Sequence, residues 1–369
     1  MAASAEPCVD GEAILYRLFD VGYEIQLEEA LEHLLENAPE RSRPARSEAG
    51  AIQIPNPPVR VVLGTEPVTI GGRTCDAELS ARLFDFGVVS LRARIRAPHG
   101  LPWSEFCEFG AAVVHAQLGD RMDSFIGPLL QRVGAAVVRP GRSAVTEEYT
   151  IFRTGTLVDR EGRKLPVGAL TDDAIARLLL SDRRPLAPGA RADLLSPRFS
   201  YYEDDLTVLA WSAALVVEPV AEDTDVQYVL EFANAQLLEL RYYDTLLDAE
   251  LPRLYDEINS ARRAFHFLGR RFSRLLAILQ SRVADVTESV ERAEHSLKMT
   301  NDVYLARVYS TALEIFRGSA WRRGIDRKIE MIRDAYTMLN AESQARRAEI
   351  MELIIIALIA FEIVMAMVR

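Results

Sequence analysis

The chain has 369 residues, a formal net charge of -11 and a pI near 5.2, long enough for two domains or for one domain with a helical extension. That acid excess excludes whole-surface attraction to nucleic acid or anionic lipid and leaves only local basic patches. Cys8, Cys75 and Cys107 are too few and too far apart for a disulfide framework, so a reducing compartment is expected. The first ten residues carry Glu6 and Asp10 with no basic or apolar run, which predicts neither a secretory signal nor a mitochondrial presequence.

Residues 1–220 alternate apolar, β-branched segments with short helical patterns. Strands are expected over 13–19, 59–64, 81–95, 147–155 and 206–217, and helices over 26–36, 102–117 and 172–180. Gly71-Gly72 reads as a turn. The segments 38–58 and 181–198, rich in Pro, Arg, Ser and Ala, read as loops or linkers. The fold class expected is α+β: an N-terminal mixed or antiparallel sheet domain, then long packed helices ending in one transmembrane helix.

From 221 to 349 the pattern is helical and coiled-coil-like. Val226, Leu230, Ala233, Leu237, Leu240, Leu247, Leu251, Leu254 and Ile258 recur in steps of three and four, with polar Asp244 where an apolar residue is due. A second seam runs from Phe265 to Leu297, and a third through Ile325, Ile329, Ile332, Tyr336 and Leu339. Helices with one apolar stripe pack on each other or on other copies, so a homo-oligomer is expected.

Residues 350–368 read IMELIIIALIAFEIVMAMV, roughly 28 Å of helix, close to the thickness of a hydrocarbon core. This predicts a C-terminal anchor in the lipid bilayer, a bacterial inner membrane, with the soluble region cytoplasmic behind Arg346 and Arg347; the alternative is a helix buried in a core. Glu362 is either a contact to a neighbouring span or a snorkelling acid.

No pair among the five histidines and three cysteines has the spacing of a metal site, and no phosphate-binding glycine loop follows a strand. No cofactor, metal or catalytic residue is therefore expected. Asn234, Glu239, Arg241, Asp244 and Asp248 put polar groups on an apolar helix. Arg241 and Asp244 are spaced to pair, and the group serves either to set helix register or to bind a partner. Basic clusters at Arg262, Arg263, Arg270, Arg271 and Arg274, and from Arg317 to Lys328, are solvated faces or phosphate contacts.

Three stretches together, LFDFGVV at 83–89, EFANAQLLELRYYDTLLDAELPRLYDEI at 231–258 and MELIIIALIAFEIV at 351–364, resemble the required-for-meiotic-nuclear-division family, a domain-of-unknown-function family of bacteria and mitochondria. The resemblance implies an α+β domain, helices and a membrane helix, no established catalytic residues, and mitochondrial members that support translation. A ribosome or RNA contact follows as an expected partner. The functional expectation is a membrane-anchored scaffold or interaction protein, the alternative an enzyme with an unrecognised site in the N-terminal domain.

Overall fold

The computed structural model describes residues 6–34, 39–41, 52–53, 56–219, 224–263, 284, 287, 298–299 and 303–368. The chain divides into two compact units, Met1–Tyr242 with Glu291–Ser319, and Tyr243–Val290 with Ala320–Arg369.

The first unit is built on a nine-stranded sheet. Its strands are β1 (Gly11–Asp20), β2 (Glu40–Arg41), β3 (Val59–Ile70), β4 (Arg73–Leu83), β5 (Val88–Arg96), β6 (Thr146–Thr154), β7 (Arg198–Phe199), β8 (Leu206–Leu209) and β9 (Ala213–Val217). They lie in the order β7-β8-β9-β6-β1-β5-β4-β3-β2. Every neighbouring pair is antiparallel except β6 and β9, whose parallel pairing needs the long return through residues 155–212.

The apolar run expected as one strand over 81–95 is a hairpin. The Phe84 N–H donates to the Val88 carbonyl at 2.8 Å, and Gly87 turns with a φ of +91°. A Cβ on Gly87 would stand 1.9 Å from the Gly22 carbonyl oxygen, so no side chain fits there. The 206–217 segment likewise folds back, through Ala210–Ser212, into β8 and β9. Within the expected 181–198 loop lies a short helix, Pro188–Leu194, which a proline in the first turn is suited to start.

One face of the sheet carries the core. Period-two alternation puts Ala13 and Phe19 of β1, Leu79, Ala81 and Leu83 of β4, and Val89, Leu91, Ala93 and Ile95 of β5 on that face, all buried. Helices α1 (Leu27–His33), α2 (Trp103–His115), α3 (Gly119–Val133) and α4 (Asp172–Leu180) supply its other half through Leu27, Phe106, Ile126 and Leu178. Continuing in chain order, α5 is Pro188–Leu194, α6 Asp225–Arg263, α7 Val303–Ile315 and α8 Gly318–Val368.

A single apolar stripe is not what α6 shows in the first unit. Every residue from Asp225 to Glu239 is buried, polar ones included. In the second unit, Ile325, Ile329 and Ile332 of α8 are buried at the spacing that predicted the third seam. Tyr336 and Leu339, the second seam from Phe265 to Leu297, and Leu254 and Ile258 fall outside the residues whose side chains are described.

The expected membrane helix is corrected by the structure: among the described residues no helix is long and apolar enough to cross a membrane. Residues 350–368 are the end of α8, a 51-residue helix. Within it Glu352 and Glu362 bound an acid-free run of nine residues, Leu353–Phe361, about 14 Å of helix against a hydrocarbon core of about 30 Å. With the anchor go the bilayer contact, the inner-membrane location and the cytoplasmic orientation that rested on it.

Candidate functional site

The second face of the sheet is charged and yet buried. The same alternation that sends Val89, Leu91 and Ala93 into the core sends Ser90, Arg92 and Arg94 of β5 to the other side, beside Arg82 of β4, Glu12 and Asp20 of β1, and Glu147 and Arg153 of β6. Ser90, Arg82, Arg92, Glu12, Asp20, Glu147 and Arg153 are each at most 9% exposed. Alternating charge on a strand ordinarily marks a solvated face; here α6 lies on it.

Two ion pairs of opposite sense tie that helix down. Arg82 of β4 donates to Glu231 of α6, and Arg241 of α6 donates to Glu147 of β6. In register, Arg82 faces Ser90, Ser90 faces Leu18, and Leu18 faces Glu147, so the two sheet residues lie in one row, three strand spacings apart, about 14 Å. Glu231 and Arg241 are ten residues apart on α6, about 15 Å of helix. The match means that α6 crosses the strands, pinned at both ends of one row. Burial raises the Glu147 carboxyl above the usual range, with the Arg241 guanidinium pulling the other way.

Around the Arg82 end, the guanidinium lies 4.9 Å from the Tyr228 ring centroid, a cation–π contact. Phe84 and Phe86 of the β4–β5 turn pack on Phe232 at 5.8 and 5.7 Å between centroids. The LFDFG string is therefore a turn whose two aromatic rings dock α6. Helix α7 packs along α6, where Tyr309 donates to Gln236 and stands 6.2 Å from Phe232.

At the far end of the charged face, Glu12 lies between two arginines, Arg153 at 2.9 Å and Arg94 at 3.6 Å. It borders a cleft of about 250 Å³ that also holds Asp10 and His99, paired at 2.6 Å. An imidazole backed by a carboxylate is half of a general-base arrangement. This one lies in the open, the His99 side chain 92% exposed, and the hydroxyl in the cleft, Thr154, is directed to the Asp10 carbonyl at 3.5 Å.

The six residues singled out from the sequence separate. Asn234 is buried and donates to the Leu230 carbonyl at 2.8 Å. Glu239 is 2% exposed. Arg241 takes Glu147, a partner 94 residues away that helix spacing does not reveal. Asp244 and Asp248 belong to the second unit, where Lys328 of α8 reaches both, at 2.7 and 2.6 Å. Burial alone would depress the Lys328 amine, but the two carboxylates outweigh it and hold it above its usual range. Glu362 is exposed on α8. The residues that sequence reasoning missed are Glu12, Arg82, Arg92, Arg94, Glu147, Arg153 and Glu231; the available signal was the unbroken arginine alternation of β5.

Asp244→Ala should destabilise the chain by about 1–3 kcal/mol, because Lys328, with 17% of its side chain exposed, keeps one carboxylate of two. Pairing it with Lys328→Met should recover part of that loss in urea unfolding. A single variant as stable as the parent would show that the pair carries no weight.

Residues 10–224 match the family model described as "Uncharacterized protein MJ0711, N-terminal domain". Among curated proteins, the chain is 25% identical over 177 residues to the uncharacterized protein MJ0711 of Methanocaldococcus jannaschii, a match covering 48% of this chain and 53% of that protein. The chain thus spans about half the length of the curated relative it matches. No solved structure matches. The match overturns the resemblance to the required-for-meiotic-nuclear-division family, whose strings local structure explains: a tight aromatic turn, a polar helix over a charged sheet, an apolar helix end. The ribosome contact rested on that resemblance and falls with it; of the basic clusters that suggested an RNA-facing surface, Arg270, Arg271 and Arg274 lie outside the described residues.

Proposed function

This chain belongs to the family of the N-terminal domain of uncharacterized protein MJ0711, matched over residues 10–224, and on that premise we propose that it is an interaction protein and not a catalyst. Its last helix carries the surface that meets another polypeptide. One observation supports the reading above the rest. Between Met351 and Met365, eleven large apolar side chains of α8 are each 52–65% exposed, on all sides of the helix.

A helix apolar all round belongs inside something larger than itself, and contiguous exposed apolar surface of this extent marks an interaction site. Burying each aliphatic side chain is worth about 1.5 kcal/mol or more. Against this, the charged groups of the sheet domain are spent on one another: Arg82 on Glu231, Arg153 on Glu12, Arg241 on Glu147. Two of these pairs hold α6 on the sheet and the third joins two strands, which leaves little chemistry for a substrate.

A benzophenone side chain placed at Ile356 or Phe361 of the full chain should give discrete polypeptide adducts on irradiation in cells. Those adducts should be lost when Ile359→Lys is added, since a buried lysine without a partner is costly. Adducts to lipid alone, or no polypeptide adduct at either position, would overturn the interaction reading.

A further inference from the structure

The two acids in the apolar end of α8 frame one of its faces. Glu352, Ile355, Ile359 and Glu362 follow one another in steps of three, four and three, the spacing that keeps side chains on one side of a helix. At about 100° per residue all four fall within an arc of about 80°. The carboxylates are ten residues apart in sequence, about 15 Å along the axis. Ile355 and Ile359 stand between them, both along the helix and around it, and each is more than half exposed. Among the described residues neither Glu352 nor Glu362 has an ion-pair or hydrogen-bond partner.

This framing limits what can cover the helix. Acids gathered on a side of their own could stay in water while a partner took the apolar sides. Here the sector that holds the acids also holds Ile355 and Ile359. A partner that buries those isoleucines passes between the carboxylates and displaces the water around both. A carboxylate stripped of water without a counter-charge is strongly unfavourable, and a like charge set against it adds repulsion. A cation opposite each one forms a charge-assisted hydrogen bond instead. A second copy of α8 matched on this stripe sets carboxylate against carboxylate in either direction, so self-pairing on this face is disfavoured.

Resting on the reading that the end of α8 meets another polypeptide, we propose that the partner lays a helix with the complementary stripe along this face. That stripe has two aliphatic side chains, for Ile355 and Ile359, flanked by a Lys or Arg at each end. Its cations stand about 15 Å apart, opposite Glu352 and Glu362.

Fluorescence anisotropy of the full chain with two labelled peptides tests it. Both peptides are alanine-rich helices with two leucines at the spacing of Ile355 and Ile359. One carries lysine at the positions that match Glu352 and Glu362, and the other carries glutamate there. The lysine peptide should bind at least about tenfold more tightly, the least that two desolvated charge pairs supply. Glu352→Lys combined with Glu362→Lys should invert that order. Lysine is a good helix former, so the double variant should keep the helicity of the parent in circular dichroism. General attraction of a cationic peptide to a chain of net charge -11 would survive the double reversal, which leaves the chain acidic; only contact with this stripe inverts the preference. Equal binding of the two peptides, a lysine preference that survives the reversal, or no binding of either up to about 1 mM would overturn the proposal. The adducts at Ile356 or Phe361 are read without the peptides, so each of those results leaves the interaction reading in place, and only the absence of adducts ends it.

Discussion

Glu231→Ala should destabilise the first unit by about 3–5 kcal/mol, the cost of leaving a buried guanidinium without its carboxylate. Arg82 is 8% exposed and Glu231 2% exposed, so water cannot replace the lost partner. The Tyr228 ring beneath Arg82 offers only a cation–π contact, worth about 2 kcal/mol or less. Unfolding midpoints in urea measure the loss. The double variant Arg82→Met with Glu231→Leu should regain most of it, because a well-packed apolar pair avoids the desolvation penalty that an ion pair bears. Additive losses in the two single variants and the double variant would show that the two residues do not act as a pair.

A second large effect depends on pH and belongs to Asp20, at the end of β1 and 2% exposed. Burial pushes its carboxyl up to about 7, while a hydrogen bond from the Gly22 N–H pulls it down. The folded-state value lies above the unfolded one, so the native state favours the protonated acid. Its stabilising contribution is complete below about pH 4 and is lost as the pH rises through about 7. Over that interval the group should cost up to about 4 kcal/mol, at 1.36 kcal/mol per unit. Asp20→Asn removes the charge and keeps the shape. The variant should match the parent near pH 4 and exceed it by about 2–4 kcal/mol at pH 8. Parallel stability profiles for the two proteins would refute the assignment.

Both predictions concern groups on the charged face of the sheet, and that face explains why a helix with so many polar residues is buried. A helix on an ordinary sheet presents an apolar stripe. Here the sheet offers Arg82 and Glu147, so the helix answers with Glu231 and Arg241. The two ion pairs run in opposite senses, sheet cation to helix anion at one end and the reverse at the other. Reversing the direction of α6 would place like charges together, so the arrangement also specifies orientation, a recognised use of buried ionic groups.

Much of the local order of this protein is written in short-range pattern. Alternation marked β1, β6 and parts of β3, β5, β8 and β9 but missed most of β4, the three-and-four spacing marked α6 and the buried Ile325, Ile329 and Ile332 of α8, and Gly71-Gly72 marked the turn between β3 and β4, because each depends on residues within one turn or one pleat of each other. What the tertiary structure alone decided depends on residues far apart. The hairpin at Gly87 is imposed by the approach of Gly22, and the strand order with its one parallel pair follows from which segments meet. The burial of Arg82 needs Glu231, 149 residues later on α6, to answer it. Arg241 prefers Glu147 to anything on its own helix for the same reason: the face that α6 presents to the sheet is set by row register, which no stretch of local sequence encodes.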